Sequence, residues 1–245
     1  MRATVATEPV KEKLVGLRSA IRSVALFLCG VALLPVCVAA TMAVVSTVGA
    51  VRPSSVAAVP PSAWAFGIGF VIWVLLYFSL PRPMRIYVLG HELTHALWGW
   101  LSGSSVSRMR VSKSGGSVAV SDNNMLITLA PYFFPLYTVL VIAGYGAASL
   151  FWDVRRYELF WVALVAFTWA FHITFTISML LERQSDVHQY GRTLSYAVIY
   201  LVNVLEAGLW IVAVSSATLE GLVRALGTDL WRICIFLKNS ATLLQ

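Results

Sequence analysis

The sequence predicts an all-α polytopic membrane protein that crosses the bilayer about six times. Three observations carry that expectation. Of the 245 residues, 59% are apolar or aromatic. Only 12% are charged, roughly half the share found in a soluble domain. The apolar residues also gather in runs close to the roughly 20 residues that a helix needs to cross a bilayer.

Residues 1–23 are mixed and polar and read as a cytoplasmic N-terminal segment. The apolar run from Ser23 to Val51 is too long for a signal peptide. It is expected to remain as a first spanning helix at about 24–48. Residues 50–62, rich in Pro, Ser and Ala, predict a loop. A second helix is expected at 63–80, ended by the PRPMR stretch at 81–85, and a third at 84–102. The fourth, at 124–149, contains Pro131 and Pro135, which should bend it. A fifth is expected at 158–181 and a sixth at 193–215. The tail, 217–245, has Leu219, Leu222, Leu226 and Leu230 at helical spacing with Arg224 and Arg232 between them. That pattern suits an amphipathic helix along the membrane surface. The chain thus divides into 1–23, a membrane domain at 24–216 and the tail.

Five basic residues precede the first helix, which places the N-terminus in the cytoplasm. Between the third and fourth helices, 105-SVSRMRVSKSGGSVAVS-121 alternates apolar and polar residues around Met109, Val111, Val118 and Val120. Gly115-Gly116 lies between the two halves, so a short β-hairpin is predicted.

Composition also excludes some classes. The net charge of +7 comes from basic residues scattered in loops and termini, with no basic stripe for nucleic acid. Cys29, Cys37 and Cys234 are odd in number and sit in apolar runs, so no disulfide framework is expected. There is no internal repeat, and no pair of broken helices of the kind that marks a transporter.

The informative stretch is 86-IYVLGHELTHALWGWL-101. It places His91, Glu92 and His95 inside an apolar helix. Ionisable groups in a membrane are costly unless paired or bound to metal. Positions four apart share a helix face, so His91 and His95 can hold one ion, and neutral imidazole suits zinc. Glu92 can take a proton from water activated by the metal and pass it to a leaving amine. This is the logic of the H-E-x-x-H motif.

Zinc needs a third protein ligand, and 96-ALWGWLSG-103 offers no histidine. The candidates are Asp186, His172, Glu206, Asp122 and His188. His172 has an alternative as a group hydrogen-bonded to Thr168, to Thr174 or to a nearby carbonyl. Glu206 has one as a partner of Arg192 or of a histidine. The run Asp122-Asn123-Asn124 reads as a helix N-cap.

The motif GHELTHALWGWLSG resembles the site-2 protease family, the intramembrane zinc metalloproteases. Ala96, Gly103 and Gly115-Gly116 are similar to small residues and a β-structured segment found there. The resemblance covers about 85–192. It implies that Asp186 is the third zinc ligand beside His91 and His95, with Glu92 as catalytic base. One departure is visible. Ser178-Met179-Leu180-Leu181 stands where the family carries Asn-x-x-Pro, and Val187 follows Asp186 where the family has glycine.

The expected function is therefore a Zn2+-dependent endopeptidase of the cell membrane. It would cut membrane protein or peptide substrates within the lipid bilayer, with no nucleic-acid partner. The hairpin at 105–121 would either hold the substrate extended by strand pairing or be a simple surface hairpin. The alternative is a catalytically silent relative that binds membrane partners, a reading the departed aspartate context favours and the intact Glu92 opposes.

Overall fold

The computed structural model describes residues 8–51, 55–112, 115–182 and 184–242. The start of the 1–23 segment, part of the 50–62 loop and the last three residues of the tail fall outside these. The elements are α1 (Glu8–Ala50), α2 (Pro61–Ser79), α3 (Met84–Leu101), β1 (Val106–Val111), β2 (Gly116–Val120), α4 (Met125–Leu129), α5 (Leu136–Ser149), α6 (Glu158–Leu180), α7 (Ser185–Gln189), α8 (Arg192–Val214) and α9 (Leu219–Thr242). The protein is mostly helical, with one small antiparallel hairpin, as expected.

Four segments are long and apolar enough to cross a membrane: Val15–Ala50, Pro61–Ser79, Arg155–Leu180 and Arg192–Val214. A fifth arises if Met125–Tyr132 and Leu136–Ser149 count as one broken span. The described residues therefore give four or five such segments where the sequence predicts six. The missing one is α3. Arg85, His91, Glu92 and His95 fall within its 18 residues and dilute its apolar character. The large apolar side chains of α2, including Ile68, Val71, Ile72, Leu75 and Phe78, are exposed, a surface suited to lipid.

The bend expected at Pro131 and Pro135 is sharper than a kink. Ala130–Tyr132 is a 3-10 turn, and the two halves meet at 81°. Pro135 supplies no N–H to continue the ladder. The break also turns Tyr132 into the interior, with none of its surface exposed.

The helices pack through small residues, as apolar helices do where water does not drive them together. A Cβ on Gly69 of α2 would run into the Ala163 carbonyl oxygen on α6. The core below the histidine turn is aromatic. Tyr87 of α3 stacks on Phe175 of α6 at 4.7 Å, and Phe171 meets Trp73 of α2 at 4.9 Å. Such pairs add about 0.5–1.5 kcal/mol each beyond their buried area. They fix the rotation of α3. A Cβ on Gly90 would meet the Tyr137 ring of α5 at 2.6 Å, so α5 lies directly on the turn before His91. Tyr137 also donates to the Ile86 carbonyl at 2.6 Å.

The hairpin pairs Val106 with Val120 and Val111 with Gly116, with a bulge between Ser107 and Met109. Arg108, at the bulge, has φ 41°. The tail forms α9 as its leucine spacing predicts. Its buried residues are Leu222 and Asp229, and it packs against α1.

Candidate metal centre

The helical repeat of α3 brings His91 and His95 onto one face, with their Nε2 atoms 3.2 Å apart. Each ring is held by its other nitrogen. His95 Nδ1 lies 2.7 Å from the Ile127 carbonyl oxygen. A carbonyl only accepts, so Nδ1 carries the proton and the Nε2 lone pair is free. That carbonyl is itself fixed, because Asn124 caps α4 by accepting from the Ile127 N–H at 2.9 Å. The N-cap expected at 122–124 thus orients a candidate ligand. His91 Nδ1 lies 3.3 Å from the Tyr87 hydroxyl, one turn back and anchored on Phe175. A hydroxyl both donates and accepts, so this contact orients the His91 ring while Nε2 faces Asp186. Outer partners of this kind orient ligating imidazoles.

Asp186 completes a triangle. Its Oδ2 lies 3.5 Å from His91 Nε2 and 3.6 Å from His95 Nε2. Among the described residues these three form the group of histidine, cysteine and carboxylate side chains placed to share an ion. A tetrahedral ion with bonds of about 2.0–2.1 Å has ligand atoms about 3.3 Å apart. The observed edges of 3.2, 3.5 and 3.6 Å fit that within a few tenths of an ångström. Asp186 sits on the five-residue α7, which is tied to α8 by the Ser195 hydroxyl donating to the Val187 carbonyl at 3.0 Å. Burial would raise the Asp186 carboxyl, but the two imidazoles facing it outweigh burial. The group is held well below the usual carboxylate range, as a ligand must be.

The other candidates lie elsewhere. His172 is buried on α6 and its Nε2 has no partner among the described residues. It bonds neither to Thr168 nor to Thr174, whose hydroxyls donate to carbonyls of their own helix. Glu206 accepts from Trp169 Nε1 at 3.4 Å instead of pairing with Arg192 or a histidine. His188 is at the surface beside Arg192. Asp122 is exposed and accepts from Ser121.

The triangle opens into a cavity of about 770 Å³. Glu92 lines it and is only 6% exposed, because β2 lies on top of it. A Cβ on Gly116 would come within 2.6 Å of Glu92 Cγ and 2.7 Å of its Oε1. Only glycine allows the strand so close. Residues 115–120 form one wall of the cavity, opposite Met179, Gln184 and Asp186.

The sequence model of the Peptidase M50B-like family matches residues 64–183. That match supports membership in the site-2 protease family. No curated protein and no solved structure matches it. In this M50B-like chain the matched segment contains α3 and its histidines and ends three residues before Asp186. The family is of metalloprotease type, which implies a metal, and the His91–His95–Asp186 triangle offers a place for one. The four apolar segments agree with a membrane protein.

One residue of this M50B-like site is not visible in the sequence. Tyr132 donates its hydroxyl to Asp186 Oδ2 at 3.1 Å and sets its ring edge-on to His91 at 5.2 Å. A tyrosine in an apolar run carries no motif. The two flanking prolines signal a bend, but not what the bend points at.

Proposed function

We propose that this chain is a zinc-dependent endopeptidase of the cell membrane, with several spans, that hydrolyses peptide bonds of membrane-embedded substrates. The observation that carries this reading is the triangle of two Nε2 atoms and one carboxylate oxygen, with Glu92 in the same cavity wall. His91, His95 and Asp186 would hold the ion. Zinc bound there supplies Lewis acidity toward water and toward a substrate carbonyl.

The rest is done by the chain's own groups. Glu92, next in sequence to His91, takes the proton of the attacking water and delivers it to the leaving amine. Its burial beneath β2 keeps bulk water from competing for that proton. Ile127 fixes the His95 tautomer and Tyr87 orients the His91 ring. The β2 backbone at 116–120 offers a strand to an extended substrate, and Val88, Val118 and Ile127 give the cavity apolar walls. The test is cleavage of a membrane-embedded model polypeptide by zinc-loaded protein, with both new termini identified. No cleavage of any such polypeptide would favour the silent, partner-binding relative.

Two changes in β2 separate its roles. Val118→Pro removes a backbone N–H from the strand and should abolish cleavage while zinc stays bound. Unchanged cleavage would exclude the strand as a substrate platform. Gly116→Ala puts a methyl group where Glu92 now sits. The carboxylate must shift, and about 1.4 kcal/mol of lost transition-state stabilisation is tenfold in rate. Turnover should fall about tenfold or more with zinc content unchanged, read by single-turnover assay beside metal analysis.

A further inference from the structure

The sequence 129-LAPYFFPL-136 breaks the helix, and a break leaves backbone groups without helical partners. The Tyr132 carbonyl is one of them. It accepts from Asn203 Nδ2 of α8 at 2.9 Å. The same amide also donates to the Ile199 carbonyl at 2.7 Å, so it is fixed on its own helix. Asn203 Oδ1 is buried with no partner among the described residues. The donor half of the side chain is used twice and the acceptor half is not used by the described residues, which points to the donor half as the useful one.

Tyr132 is therefore held at both ends. Its carbonyl is tied to α8, and its hydroxyl reaches Asp186 Oδ2. That is the same oxygen that faces both imidazoles. The circuit closes through the chain itself, since Ser195 of α8 holds the Val187 carbonyl beside Asp186. Asp186 needs such a tether. It is only partly covered, with 24% of its side chain exposed, and stands on a single helical turn between loops. His91 and His95, by contrast, are built on an 18-residue helix.

We infer that Tyr132, anchored by Asn203, is a positioning residue that holds Asp186 Oδ2 against the two imidazoles and thereby sets the affinity of the metal centre. This rests on the reading of the triangle as a zinc site. The hydroxyl polarises the carboxylate and leaves one lone-pair direction for the ion. Without it, the carboxylate keeps, among the described residues, only the long bond from the Ser185 hydroxyl to Oδ1, at 3.3 Å, and Oδ2 loses its tether.

The test is a thermodynamic cycle on purified full-length protein. Zinc affinity is measured by competition with a chromophoric chelator for wild type, Tyr132→Phe, Asp186→Ala and the double variant. Outer partners of metal ligands typically contribute about 10–100-fold in affinity. Tyr132→Phe should weaken zinc by about that factor, and should change the visible spectrum of the cobalt-substituted protein. In the Asp186→Ala background the same change should have almost no further effect. Asn203→Leu, which leaves the hydroxyl in place, should weaken zinc in the same direction. Equal affinity in wild type and Tyr132→Phe overturns the inference and leaves the zinc site standing. An equal loss in the Asp186→Ala background also overturns it, because the effect would then be general to the fold. A wild type that binds no zinc overturns the proposed function, and this inference with it.

Discussion

Asp186→Ala is expected to lose most of its zinc. Wild-type protein, purified with metal present, should carry about one zinc per chain, matching a site with three protein ligands and one open position. Removing Asp186 leaves two imidazoles and no charged ligand. The loss should exceed the roughly 100-fold seen when only an outer partner is removed. Metal analysis of detergent-purified wild type and variant, side by side, decides it. Zinc in both would mean that a different third group ligates. None of the other candidates is placed for that, since His172, Glu206, His188 and Asp122 all lie outside the triangle. No zinc in either would make His91 and His95 a structural pair and hand the function to partner binding.

Glu92→Gln is expected to do the opposite: keep zinc and lose cleavage. The amide matches the carboxylate in size, so the tight contact with Gly116 survives. It cannot accept the proton of the attacking water. General acid–base catalysis typically contributes about 10²–10⁴-fold, and cleavage of a membrane-embedded substrate should fall by that much. Zinc content should equal wild type. Cleavage that persists in Glu92→Gln would show that another group moves the proton.

Much of this site is legible in the sequence because helical periodicity is short-ranged. Four residues separate His91 from His95, and that spacing fixes a shared face in any α-helix. Gly115-Gly116 predicts the hairpin for the same local reason. Asp186 is harder. Nothing within ten residues of it specifies a ligand, and its nearness to α3 depends on the packing of α6, α7 and α8. Resemblance supplied it where spacing did not. Tyr132 was out of reach, because its role depends on a helix break, on a partner 54 residues away and on another 71 residues away. The described residues give four or five strongly apolar segments beside the six spans expected, for a related reason. The groups that give α3 its chemistry are the ones that remove it from the set of strongly apolar helices.

The packing of the first helix on the last apolar segment has a temporal consequence. A Cβ on Gly30 of α1 would come within 2.6 Å of the Leu194 backbone nitrogen at the start of α8. Cys37 donates to the Ala197 carbonyl across the same seam, 160 residues away in sequence. Chains emerge from the ribosome N-terminus first, and contacts of long sequence separation form late. The histidine helix is therefore made well before the clasp that seats α8. Asp186 lies on the segment that α8 holds, so the aspartate arrives at the imidazoles only when the bundle closes. Until then the nascent chain carries His91, Glu92 and His95 without the third corner of the triangle.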